Sequence, residues 1–166
     1  MKKIFSLFAI ALFAISAVAQ TELFNPATAF IPEGGTYFAT GPNWEPETNS
    51  SATYDATTGT LLVDLKSQFS SQWQAQVKLQ HDVTFSAAKQ YTISVKFKST
   101  VDLGGITLKM DDNAEVAFAN QSIKIAANQE FVYTSEPANG VEGNNHVLVF
   151  DFGWAVPAQV TITDIS

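Results

Sequence analysis

The chain has 166 residues, a net charge of −7 and no cysteine, and all nine of its basic residues are lysine. That length suggests one domain and is enough to bury a core without disulfides. A surface this acidic and without arginine excludes nucleic acid, which needs a basic face. Anionic membranes and anionic polysaccharides are disfavoured on the same ground, so a neutral partner fits best.

Lys2 and Lys3 precede an apolar run, Ile4 to Ile15, followed by Ala17-Val18-Ala19. A basic start, a short apolar run and small residues in an A-x-A pattern are the parts of a secretory signal peptide. The run is shorter than the roughly 20 residues that a membrane span needs. Cleavage is predicted after Ala19, leaving residues 20–166 as the mature domain and taking the charge from −7 to −9 with the loss of Lys2 and Lys3. No Cys follows that could carry a lipid. The expected product is secreted or periplasmic, with no membrane attachment after cleavage, and the absence of Cys suits a bacterial envelope protein.

From Gln20 to about Ser51, prolines and glycines are interspersed with Phe24, Phe30, Tyr37, Phe38 and Trp44. This reads as an ordered wrapping segment, because disordered chains are poor in aromatics. Asn49 to Thr53 reads as a polar turn, Tyr54 as the start of a short strand, and Thr60 to Leu65 as the next strand. Gln72 to Lys98 then reads as two long strands forming the organising pair. In the first, Trp73, Ala75, Val77 and Leu79 alternate with Gln72, Gln74, Gln76, Lys78 and Gln80. In the second, Tyr91, Ile93, Val95 and Phe97 alternate with Thr92, Ser94, Lys96 and Lys98. A period of two places one face on a core and the other against solvent or a ligand.

After a turn over Asp102 to Gly105, strands are predicted at Ile106 to Met110, Glu115 to Ala119, Ile123 to Ile125 and Glu130 to Thr134, with a turn at Asp111-Asp112-Asn113. Pro137 to Asn145 reads as a loop. His146 to Phe152 (HVLVFDF) is almost wholly apolar, so it is expected to be central, with Leu148, Phe150 and Phe152 on one face. Gln159 to Ile165 closes the chain as a strand with Val160 and Ile162 inward. Nine or ten strands at spacings near 8 to 12 residues, with no amphipathic helix after Gln20, predict an all-β fold: a β-sandwich jelly roll of two antiparallel sheets.

An outward row of amides can donate and accept hydrogen bonds, and aromatic side chains beside it can serve as apolar platforms for a neutral ligand. Gln74 and Gln76 share the outward parity and are the first candidates, with Lys78 on the same face; the plain alternative is a solvated strand face. Trp73 has the opposite parity and is expected in the core, although it remains a candidate ligand contact. Trp44, in PNWEPE, and Trp154, after Gly153, read as loop platforms or as plugs for the ends of the sandwich. Tyr54 and Tyr37 are lesser candidates, and Tyr91 is expected to face inward. Glycosidic catalysis needs two carboxylates about 5 to 10 Å apart, and no such cluster stands on one strand face. Asp111, Asp112 and Glu115 read as turn and solvated positions. His81 and His146 lack metal-ligand spacing, and neither a G-x-S-x-G elbow nor a cysteine nucleophile is present. The chain is therefore not expected to be an enzyme.

Trp73-Gln74-Ala75-Gln76-Val77, then Gln90-Tyr91-Thr92-Ile93-Ser94-Val95-Lys96-Phe97-Lys98, and finally Ile162-Thr163-Asp164-Ile165-Ser166 resemble the carbohydrate-binding modules of the family 4/9/16/22 type. Those show a W-x-x-Q strand, a K-x-Y-T strand and a closing D-D-V-S sequence, and the likeness runs from about Phe24 to Ser166. The resemblance implies a jelly roll whose concave sheet accepts a β-glucan or xylan chain, without catalysis, usually attached to a secreted glycoside hydrolase. It also implies a structural calcium on the first Asp of the closing pattern. Thr163 stands there and only Asp164 remains, so no cofactor is expected to be required. The expected function is non-catalytic binding of a neutral polysaccharide by a monomer. The alternative is a structural or adhesion β-sandwich of the bacterial cell envelope, in which the outward Gln and Thr rows merely face water.

Overall fold

A computed structural model describes residues 20–40, 45–46, 49–110, 120–142 and 147–166. The leader of residues 1–19, Trp44, the Asp111 to Ala119 segment and His146 lie outside the described residues. The strands are β1 (Thr36–Thr40), β2 (Glu45–Pro46), β3 (Ser51–Asp55), β4 (Thr60–Leu65), β5 (Ala75–Gln80), β6 (Gln90–Tyr91), β7 (Ser94–Ser99), β8 (Leu103–Met110), β9 (Asn120–Ile125), β10 (Glu130–Thr134), β11 (Ala138–Asn139), β12 (Val147–Asp151) and β13 (Ala158–Thr163), with one 3₁₀ turn at Gln72–Gln74.

They form a β-sandwich jelly roll. One sheet has the order β2-β1-β5-β12-β8-β9, the other β10-β7-β13-β4-β3, and β11 pairs with β6 in a small third sheet. All strand pairs are antiparallel. Alternation decides which side chains meet between the sheets. Val77, Leu79, Ile106, Leu108 and Phe150 come from the first sheet, and Leu61, Val63, Val95, Phe97, Val160 and Ile162 from the second, all without solvent exposure. Phe97 of β7 meets Phe150 of β12 edge-on at 6.3 Å, joining the sheets across the core; such a pair adds about 1 kcal/mol beyond its burial. The β12 strand is central, as its apolar sequence predicts, and lies between β5 and β8.

Five expectations are corrected. The two alternating stretches between Gln72 and Lys98 are not partners: β5 lies in the first sheet and β7 in the second, and they face each other across the core. Period two assigns faces but not neighbours, and here each strand is paired with chain far away in sequence. The first of these strands also starts late, because Gln72–Gln74 forms a 3₁₀ turn. Asn49 to Thr53 is not a turn, since β3 begins at Ser51, and β1 lies within the stretch read as an ordered wrapping segment without strands. Nor is Asp102 to Gly105 a turn: β8 already begins at Leu103, with its register shifted between Leu103 and Ile106. Gly105 absorbs that irregularity at φ +73°, a conformation that suits glycine.

Candidate functional site

The outer face of the six-stranded sheet is not an ordinary solvated surface. Strand register lines up Tyr37 of β1, Gln76 of β5, Asp151 of β12 and Thr107 of β8 across four strands. At about 4.8 Å per strand this row is about 14 Å long. The next row is Lys78, Val149 and Lys109, and the third is Phe30, Gln80 and Val147. Val149, Asp151 and Thr107 alternate away from the core, yet their exposures are 0%, 3% and 4%. Val149 is buried without belonging to the hydrophobic core cluster.

A carboxylate buried this deeply needs partners, and Asp151 has two. Gln76 Nε2 donates to Oδ1 at 2.8 Å, and Lys109 Nζ lies 2.9 Å from Oδ2. The row is extended by Gln72, whose side-chain amide donates to the carbonyl of Gly105 (2.7 Å) and to the hydroxyl of Thr107.

At this end of the sheet two indoles stand in water. Trp73 is 41% exposed and Trp154 is 48% exposed. Their loops are tied together by backbone bonds. Phe69 N–H donates to Gly153 O (2.7 Å), Gly153 N–H to Gln72 O (2.8 Å) and Phe152 N–H to Ala75 O (2.7 Å). Gln68 Nε2 adds a bond to Trp154 O at 2.8 Å. Two glycines make the approach possible. A Cβ at position 153 would lie 2.0 Å from Ser71 O, and a Cβ at Gly105 would lie 3.2 Å from the Trp154 ring. Trp154 therefore lies over Gly105, on the strand that Gln72 also reaches.

The predicted residues are placed as follows. Gln76 and Lys78 are half-buried on the outer face, as their parity implies. Gln74 does not join them. It is only 4% exposed, and its Oε1 accepts the Ser71 N–H (2.7 Å) and the Ser70 hydroxyl (3.0 Å), closing the 3₁₀ turn. That turn also carries Trp73 out of the core, where its parity had placed it. Tyr54 lies on β3 of the other sheet, away from this site. Its hydroxyl donates to Pro26 O at 3.0 Å, and burial, with the neighbouring Asp55 charge, raises its pKa above the usual value. Asp164 pairs with Lys96, whose pKa it raises. Among the described residues no group of three or more His, Asp or Glu could hold a metal ion.

Asp151, Lys109, Thr107 and Gln72 were missed as site residues. Asp151 had a signal: it is the one charge in an apolar central strand, at outward parity.

No protein-family model and no curated protein matches the chain. Solved structures do match. A family 4 carbohydrate-binding module (CBM4) is 16% identical over 86% of this chain and 86% of that one, with a TM-score of 0.53. The BiXyn10A CBM1 in its apo form is 12% identical over 86% of this chain and 95% of that one, with a TM-score of 0.52. The fold is one shared with carbohydrate-binding modules. At these identities the likeness is one of architecture, and the site must be argued from this chain's own residues.

Proposed function

We propose that the chain is a non-catalytic module that binds a neutral glycan, of β-glucan or xylan type, at the indole end and along the outer face of the six-stranded sheet. The observation that carries this reading is the pair of exposed indoles, Trp73 and Trp154, on loops locked to one another. Exposed large aromatics held rigidly lose little entropy on binding, and their faces suit the C–H face of a sugar ring. Of the polar row beside them, Asp151 and Thr107 are buried, and the half-buried Tyr37 and Gln76 are the members that hydroxyls can reach. A glutamine amide has two N–H groups and a carbonyl oxygen, so the bond from Gln76 to Asp151 leaves capacity for a ligand. The fold likeness to carbohydrate-binding modules supports the same reading. Secretion behind the leader of residues 1–19, a monomeric state and independence of calcium belong to the proposal.

Calorimetric titration and affinity gels against laminarin, mixed-linkage glucan, xylan and cellulose oligomers test it. Binding to at least one, with no hydrolysis of it, is expected. Affinity should change little with salt, because the partner carries no charge.

A further inference from the structure

The outer-face site leaves the other end of the sandwich unused. There, where β5 and β8 finish and β12 begins, a solvent-open cavity of about 710 Å³ reaches between the sheets. Six strand residues at about 3.3 Å each place it about 20 Å from the indoles. Its walls are mostly apolar: Phe24, Val83, Phe85, Tyr91, Met110 and Leu148. The rings form a chain of edge contacts, with Phe24 to His81 at 6.2 Å, His81 to Phe85 at 6.4 Å and Phe85 to Tyr91 at 4.7 Å.

The walls are anchored independently. Tyr91 Oη accepts the Ser86 N–H at 3.0 Å. The segment that carries Phe24 is held by the Tyr54 bond to Pro26 and by the paired backbones of Phe30 and Gln80. Gln20, Glu22, Thr92 and Ser166 line this cavity and also a second hollow of about 420 Å³, where Ser94 and Thr134 join them. The second hollow thus has only polar side chains, mainly hydroxyls and an amide. An apolar chamber that opens into a hydroxyl-lined one has the form of a site for a molecule with an apolar body and a polar head. Glu22 lines both hollows, whereas Lys89 lines only the apolar one. After the proposed cleavage Gln20, which lines both hollows beside Glu22, carries the chain's amino group, so the two charges offset and an uncharged head is favoured.

We infer that this end of the sandwich holds one small uncharged amphiphile, its apolar body against Phe85 and Tyr91 and its hydroxylated head beside Thr92, Ser94 and Thr134. The site is separate from the glycan surface and does not depend on it.

Octyl β-D-glucoside below its micellar concentration is the probe, followed by calorimetry and by NMR contacts from the octyl chain to aromatic protons of the wild-type protein. One molecule should bind, with contacts to Phe85 and Tyr91. Glucose alone should not bind here, and octyl sulfate should bind at least several-fold more weakly. Val83→Trp, which fills the chamber, should weaken octyl glucoside about tenfold or more, and Thr92→Val several-fold. Neither should change glycan binding, and Trp73→Ala and Trp154→Ala should leave octyl glucoside unaffected. Absence of octyl glucoside binding, absence of ring contacts in the wild type, or tighter binding of octyl sulfate would overturn the inference. The glycan titrations are read separately, so failure of either site leaves the other standing or falling on its own data.

Discussion

At one end of the sandwich two indoles stand in water on loops that hydrogen-bond to each other. At the other, three phenyl and phenol rings and an imidazole line a hollow between the sheets. Rigidity is achieved differently in the two places. The indole end is held by backbone bonds at Gly153, Gln72 and Ala75 and by the absence of a Cβ at Gly153 and Gly105. The hollow is held by ring packing around Phe85, which is 8% exposed, together with the Ser86–Tyr91 and Tyr54–Pro26 bonds and the Phe30–Gln80 backbone pair. The first arrangement presents partly exposed aromatic surface to a flat ligand. The second leaves a volume for a compact one.

The comparison can be broken from either end. The largest expected effect is Gly153→Ala. Its methyl group would meet two carbonyl oxygens of the 3₁₀ turn, so the loops must separate, at a cost of about 4 kcal/mol. Denaturant unfolding should show that loss, and glycan binding should fall even under conditions where the fold survives. Phe85→Ala should cost about 3 kcal/mol by enlarging the hollow and should leave the affinity for glycan unchanged, which separates the ends. Lys109→Met leaves the Asp151 carboxylate buried with Gln76 alone. A fully buried pair broken in this way loses about 3 to 5 kcal/mol. Lys109 keeps about a quarter of its side chain in solvent, so about 2 kcal/mol is expected here. Denaturant unfolding of the variant beside the wild type checks this.

The smallest effect is at the exposed turn after β3 and serves as a reference. Asp55 accepts the Thr58 hydroxyl at 2.9 Å and the Thr57 N–H at 2.8 Å, and these bonds hold its carboxyl below the usual value. A depressed folded pKa adds stability above the unfolded value of about 3.9, and that contribution is lost as pH falls through the folded pKa. NMR titration should place the Asp55 midpoint below that of Asp55 in a denatured reference, and Thr58→Val should raise it.

Much of the sandwich was legible in the residues. The β4 and β10 strands, the central place of β12 and the inward set of Leu148, Phe150, Val160 and Ile162 follow from alternation and apolar content alone. Pairing was not legible, because β5 and β7 carry the same signal whether they are neighbours or face each other across a core. The orientation of Trp73 was hidden for a related reason. Alternation continues through Gln72, Trp73 and Gln74, but the chain turns there on a bond from Gly153, some eighty residues away in sequence. Gly153 beside Trp154, and the Gly104-Gly105 pair, were local hints that backbone and ring approach closely. The polar row was half visible: Gln76 and Lys78 show it by parity, while Asp151 and Lys109 join it only through the sheet register.

The central claim is that Trp73 and Trp154 make this fold a glycan binder. It is tested most directly by calorimetric titration of the wild type and of the Trp73→Ala/Trp154→Ala double variant with the best of the four glycans. The account predicts measurable binding by the wild type and a loss of about tenfold or more, at least about 1.4 kcal/mol, in the variant, titrated under conditions where denaturant unfolding shows it folded, because each indole is about half buried and its removal also costs stability. Binding of none of the glycans by the folded wild type, or undiminished binding by the double variant, would contradict it.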